Sequence, residues 1–234
     1  MHTYCSYAIL SLIMDIKTSV PLSTLTTMRL GGPARFFAEA HSAEQMIALC
    51  KNARKLNQKF VVIGGGSNLI VHDEGFDGLV IRNAIPGFEV IEEDDNAVTL
   101  QIGGGELWDS VVSRSVGRGL TGIEALSGIP GTAGAAPVQN IGAYGQEIAD
   151  ILVSLDAYDT INDQLVRLSW EDCGFAYRHS IFRDDASRRY AIVSISLKLY
   201  KRAPLPPFYA SVQEHLDDNG ITEFTPAVIR SAVL

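Results

Sequence analysis

Arg178 stands where polar and aromatic side chains crowd together, in Glu171 to Phe182 (EDCGFAYRHSIF), with Tyr177 before it and His179 after it. A guanidinium fork can hold a carboxylate or a phosphate through two parallel hydrogen bonds. A second candidate for chemistry is made of backbone. Gly64-Gly65-Gly66-Ser67-Asn68 follows the short apolar run Phe60 to Ile63. Its consecutive N–H groups are screened by few side chains, and such a nest binds phosphate oxygens. It is neither a GxGxxG opening a helix nor a P-loop with GK[ST]. The same glycines would also suit a hairpin turn, and Arg178 would also suit an ordinary surface.

The third candidate is the stretch Gly128 to Gly145, GIPGTAGAAPVQNIGAYG. Five of its eighteen residues are Gly, four are Ala and two are Pro, so no helical or alternating period runs through it. Glycine lets a ligand approach the backbone, and proline fixes φ and interrupts pairing. Long irregular segments in compact domains are usually functional or disordered. This one is too poor in charge for disorder. It reads as backbone shaped around a flat, largely apolar ligand, with Thr132, Gln139, Asn140 and Tyr144 as its side chains of hydrogen-bonding reach.

The elements that must position these groups alternate between helix and strand. Strands are expected at Arg35–Glu39, Phe60–Ile63 and Leu79–Arg82, with β-like residues Leu69 to Val71 after the first glycine run. A helix opens at Ser42, with Gln45 completing a capping box, and runs to about Asn57. Phe88–Glu92 and Ala97–Ile102 form a hairpin around an acidic turn. Leu107–Arg118 is a second helix, stopped by Gly117 and Gly119, in which Trp108 serves packing. Ile151–Tyr158, Leu165–Leu168 and Tyr190–Leu199 belong to a second sheet. Pro204, Pro206 and Pro207 mark a linker, followed by helices at Ser211–Asn219 and Ala227–Leu234. The resulting division is an N-terminal extension over 1–20, subdomains over 21–85 and 86–200, and a linker with the start of another domain over 201–234.

Composition narrows the function classes. With 47% hydrophobic and 20% charged residues the chain is globular material. A net charge of −8 disfavours nucleic acid or an anionic membrane as partner. Cys5, Cys50 and Cys173 are odd in number and far apart, which fits a reducing compartment without a disulfide framework. They and the five histidines lack metal-ligand spacing, so no metal is expected. The run Tyr7 to Met14 resembles a signal-peptide core, but no Lys or Arg precedes it and no small-residue cleavage site follows. An extension or a true start at Met14 is the expectation, in a cytoplasmic protein.

Four segments together resemble the UDP-N-acetylenolpyruvoylglucosamine reductase family of flavoenzymes, which serves peptidoglycan precursor synthesis. They are TMRLGGPA (Thr27 to Ala34), IGGGSNLIV (Ile63 to Val71), the stretch Gly128 to Gly145, and CGFAYRHSIF (Cys173 to Phe182). The resemblance implies an α+β, bipartite FAD-binding fold of the vanillyl-alcohol-oxidase type, two subdomains clamping an extended FAD. It implies that Gly64, Gly65, Gly66, Ser67 and Asn68 cradle the diphosphate. Ile129, Pro130, Gly131 and Thr132, with Asn140, Ile141, Gly142 and Ala143, would wrap the flavin. Gln139, Tyr177 and Arg178 would contact a UDP-sugar substrate, and Arg178 would be catalytic, stabilising an enolate. NADPH would be co-substrate in reducing UDP-N-acetylglucosamine enolpyruvate to UDP-N-acetylmuramate.

The family's proton-donor serine, in an SFFKNP-like motif, and its assisting glutamate have no counterpart; Ser231 lacks the surrounding motif. The resemblance therefore implies a C-terminally truncated reductase with its FAD site complete. A flavin module without turnover, or another FAD oxidoreductase of the same fold, stands as the alternative. Oligomeric state is not indicated by the sequence.

Overall fold

The computed structural model describes residues 15–183 and 189–234. The apolar run at Tyr7 to Met14, and Cys5, lie outside the described residues. Two sheets carry the fold, each with a helix laid on it.

The first sheet contains β1 (Lys17–Pro21), β2 (Pro33–Ala40), β3 (Phe60–Ile63) and β4 (Phe76–Asn83), in the order β1-β2-β4-β3. β1 is antiparallel to β2, and β4 is parallel to both β2 and β3. The extension expected through residue 20 therefore gives way to a strand at Lys17. Its reason is local: Val20 pairs with Ala34 and packs beside the buried Leu22.

Helix α1 (Ala43–Lys55) crosses between β2 and β3. Ser42 Oγ accepts from the N–H of Gln45, as the capping pattern predicts. Gln45 Oε1 reaches back to the N–H of His41, one residue earlier than the capping box requires. The helix buries Met46, Leu49, Cys50 and Ala53 against Phe36, Ala38, Leu79 and Ile81. Burial pushes the Cys50 thiol up to about 12, so it is packing material rather than a nucleophile. Leu69 to Val71 form no strand. They run on as irregular chain whose backbone meets the Gly31–Gly32 turn, where the Gly32 N–H donates to His72 O at 2.9 Å.

The second sheet begins with β5 (Phe88–Glu93) and β6 (Ala97–Gly103). Helix α2 (Trp108–Val116) follows β6. Two two-residue strands, β7 (Gly142–Ala143) and β8 (Gln146–Glu147), close a small hairpin. Then come β9 (Leu152–Asp159), β10 (Gln164–Ser169) and β11 (Tyr190–Tyr200). The order is β10-β9-β11-β6-β5, antiparallel throughout. Alternate residues Val98, Leu100 and Ile102 of β6, with Ile195, Leu197 and Leu199 of β11, face Trp108, Val111 and Val112 of α2. The period of two aims each apolar set at one face.

After the sheets, α3 (Ala210–Asp218) and α4 (Pro226–Val233) pair over a small cluster of Val212, Leu216 and Ile229 on Ala125. The hydroxyl of Thr225 caps α4, accepting from the Val228 N–H.

Candidate functional site

The first glycine run leaves β3 and folds directly onto the central glycine-rich stretch. A side chain at Gly64 would collide with Thr132 Oγ1, and one at Gly66, where φ is +68°, with Leu25 O. Both positions therefore require glycine. The N–H groups of Gly65, Gly66, Ser67 and Asn68 donate to no protein acceptor among the described residues. Successive unpaired donors of this kind can cradle an anion.

The two loops touch along one seam. Gly65 lies against Gly131, where an added Cβ would stand 3.1 Å from Gly131 Cα. Ser67 Oγ donates to Pro130 O at 3.2 Å. Space opens on both sides of that seam. A cavity of about 370 Å³ is walled by Ser67, Asn68, Ile129 to Thr132, Gln139, Ile141 to Ala143 and Arg178. A second, of about 210 Å³, runs along β3 and Gly64 to Asn83, Phe182 and Tyr190. Thr132 and Ala135 belong to both walls. The buried Thr132 Oγ1 has no hydrogen-bond partner. An orphaned buried hydroxyl at the junction of two cavities is costly unless a ligand completes it.

Of the expected cofactor contacts, Ser67, Asn68, Ile129, Pro130, Gly131, Thr132, Ile141, Gly142 and Ala143 face the larger cavity, and Gly64 the smaller. Gly65 and Gly66 line neither cavity; they pack against Gly131 and Leu25 and leave their N–H groups without a protein acceptor among the described residues. Asn140 faces neither cavity. It is buried, with φ +44°, and its amide donates to Glu147 Oε2 (2.7 Å) and Ala176 O (3.1 Å) while accepting from the Ala149 N–H (3.1 Å). All its side-chain capacity in these bonds serves the protein.

Arg178 is presented by a tight hairpin. Ala176 and His179 exchange N–H···O bonds of 3.2 and 3.0 Å, placing Tyr177 and Arg178 at the tip, with Arg178 at φ +53°. Three bonds pin this hairpin to the central stretch: Asn140 to Ala176 O, Ser180 Oγ to Val138 O (2.7 Å), and Arg178 Nη2 to Gly142 O (2.7 Å). The guanidinium thus enters the wall of the larger cavity beside Gln139, while Tyr177 stays 82% exposed outside it. Burial pushes the nearby Cys173 thiol up to about 12, which leaves it protonated and inert at neutral pH.

Trp108, read from the sequence as packing in preference to cofactor stacking, is also a wall residue. It is buried, its Nε1 donates to Leu126 O at 3.1 Å, and one face of it borders the cavity with Ala135 and Ala136. Asn83 was not foreseen at all. Its Nδ2 donates to Ile192 O at 2.8 Å, linking the end of β4 to β11 beside the smaller cavity. The only trace of it in the sequence is one amide ending an apolar strand. Among the described residues no group of three His, Cys, Asp or Glu side chains could hold a metal ion.

Comparison with known proteins agrees with this geometry. A family model described as FAD binding domain matches residues 34–169. UDP-N-acetylenolpyruvoylglucosamine reductase of Thermobifida fusca is 41% identical over 92% of this chain and 60% of its own length. That of Burkholderia cenocepacia is 40% identical, over 92% and 62%. The chain therefore spans about 60% of the length of these curated relatives. The crystal structure of the Thermus caldophilus reductase superposes with a TM-score of 0.68 at 25% identity, covering 94% of this chain and 67% of the other. Cholesterol oxidase of Brevibacterium sterolicum shares the fold alone: TM-score 0.56 and 11% identity, over 80% of this chain and 37% of the oxidase. The architecture is the α+β, bipartite FAD-binding fold, and the unpaired backbone donors, the orphaned Thr132 hydroxyl and the two adjacent cavities fit such a cofactor. The chain belongs to the FAD-binding domain family and is a homologue of the UDP-N-acetylenolpyruvoylglucosamine reductases.

Proposed function

We propose that this chain is the FAD-holding part of a cytoplasmic, NADPH-using reductase of UDP-N-acetylglucosamine enolpyruvate in peptidoglycan precursor synthesis. The observation that carries the reading is the meeting of a run of unpaired backbone donors, an orphaned hydroxyl and a guanidinium around two cavities that share Thr132 and Ala135 as wall. Gly65 to Asn68 would hold the diphosphate of FAD by backbone N–H groups, with Thr132 Oγ1 as a further donor. The loops Ile129 to Thr132 and Ile141 to Ala143 would border the ring system. When bound, the flavin supplies the two-electron chemistry between NADPH and the enolpyruvyl double bond.

The protein's own part is electrostatic and positional. Arg178 uses one nitrogen on Gly142 O, which fixes the aim of the guanidinium and leaves its other N–H donors for a substrate carboxylate. As charge develops on that carboxylate, a fixed cation stabilises it without reorganising. Gln139 stands in the same wall and would help to orient the substrate.

The test is spectroscopic first. The purified chain, titrated with FAD, is expected to bind one equivalent, read from the perturbed visible absorption of the flavin and its quenched fluorescence. Failure to take up FAD would overturn the reading. The second measurement is NADPH oxidation by the natural protein, which is expected to depend on the enolpyruvyl UDP-sugar.

A further inference from the structure

Helix α4 lies against the segment that leads into the larger cavity, and one side chain makes the connection. Arg230 donates from Nη1 to Asp109 Oδ1 at 2.6 Å and from Nη2 to Asp109 Oδ2 at 2.8 Å. Nη1 also donates to Ser127 Oγ at 2.9 Å. The Arg230 side chain is only 17% exposed. Asp109 Oδ1 accepts one more bond, 2.8 Å from the backbone N–H of Gly128.

Asp109 stands in the first turn of α2 beside Trp108, whose own backbone N–H donates to Gly131 O at 3.1 Å. The loop Gly128 to Gly131 is therefore held at both ends by the same helical turn. One end is held by backbone, the other by a carboxylate whose direction the Arg230 fork sets. Between these anchors the N–H groups of Ile129 and Gly131 donate to no protein acceptor among the described residues, and both residues wall the cavity. A half-exposed aspartate alone can rotate. A bidentate guanidinium holds its carboxylate plane. The guanidinium also keeps the Asp109 carboxyl below the ordinary carboxylate range, so the pair is ionised at neutral pH.

We propose that Arg230 is a positioning residue for the cofactor: its fork orients Asp109, Asp109 orients Gly128, and the aim of the Ile129–Gly131 backbone depends on α4 being docked. This rests on reading the cavity as the flavin site. It makes α4, which has no contact with that cavity, part of the cofactor's support.

The experiment compares FAD binding by the wild-type chain with Arg230→Met, Arg230→Lys, Asp109→Asn and the Arg230→Met/Asp109→Asn double variant. Loss of a charge-assisted fork predicts a rise of about tenfold in the FAD dissociation constant for each single variant. A shift in the visible band of the bound flavin is expected with it, which a purely structural role would not produce. The double variant is expected to be no weaker than the worse single one, because one chain of contacts carries both effects. Circular dichroism identifies the variants that fold; if Arg230→Met does not, Arg230→Lys, which keeps the charge and loses the fork, decides the same question. Wild-type affinity and spectrum in a folded Arg230 variant, or additive losses in the double variant, would overturn the proposal alone. Absence of FAD binding by the wild-type chain would overturn the flavin reading and this proposal with it.

Discussion

Asn140 and Arg178 divide the work of the site between holding and acting. Asn140 occupies the left-handed region, which asparagine tolerates better than most residues, and its amide ties its own loop to Glu147 and Ala149 and to Ala176. Asn140→Ala leaves part-buried partners unpaired and should cost about 1–3 kcal/mol of stability, read as a lowered denaturation midpoint. Arg178 is anchored by one nitrogen and exposes the rest. Arg178→Ala in the natural protein should lower turnover by about 100-fold or more, while FAD affinity changes less than threefold. Equal losses in both would make Arg178 a structural residue.

At the scale of elements, the strands and helices are placed by short-range pattern and the loops by what they meet. The alternation of Val98, Leu100 and Ile102 makes β6 and selects its buried face. Ser42 and Gln45 open α1 without help from the rest of the chain, and Thr225 does the same for α4. The turn at Tyr144-Gly145, with φ of +49° and +82°, matches the twist of the two-residue strands it joins. Asn83 behaves differently, since its value lies in Ile192, 109 residues away. Asn83→Ala should destabilise the join between the sheets by about 1–3 kcal/mol. Because Asn83 also walls the smaller cavity, FAD affinity should fall with it. Intact stability and affinity in that variant would show that the amide is dispensable.

Across the whole molecule, α1 ties the two sheets a second time. Arg54 Nη1 donates to Thr160 Oγ1 at 3.1 Å, and Lys51 pairs with Asp163 at 2.9 Å. Beside them the buried Asp159 accepts from Arg189 Nε and Nη2 and from the N–H groups of Ile161 and Asn162. The Arg189 bonds lead in holding its carboxyl down to about 2, from an ordinary 3.8. A depressed folded-state value stabilises the fold above the unfolded value, and the benefit fades as pH falls through the folded one. The gap in melting temperature between wild type and Asp159→Asn should therefore be full above about pH 4 and close toward pH 2. A gap unchanged at pH 2 would mean that the ion pair is not its source.

Arg178 stood out as catalytic only through the family resemblance, whereas the amino-acid sequence alone determined the helices and most strands and the two glycine-rich loops. Each of these depends on neighbours a few residues apart: side-chain period, caps, and the missing Cβ. Two details failed even so. Leu69 to Val71 have strand-forming residues but lie in no strand, and the segment from Lys17 joins a sheet because the edge of β2 offers Phe37 to Ala34 as partners. Tertiary structure decided which loops meet, that Asn140 is spent on the scaffold, and that the Thr132 hydroxyl is left without a partner. It also decided that Arg230 reaches Asp109 across 121 residues. Contacts of that separation follow from how two sheets pack, and no local pattern encodes which polar groups the packing will strand or satisfy.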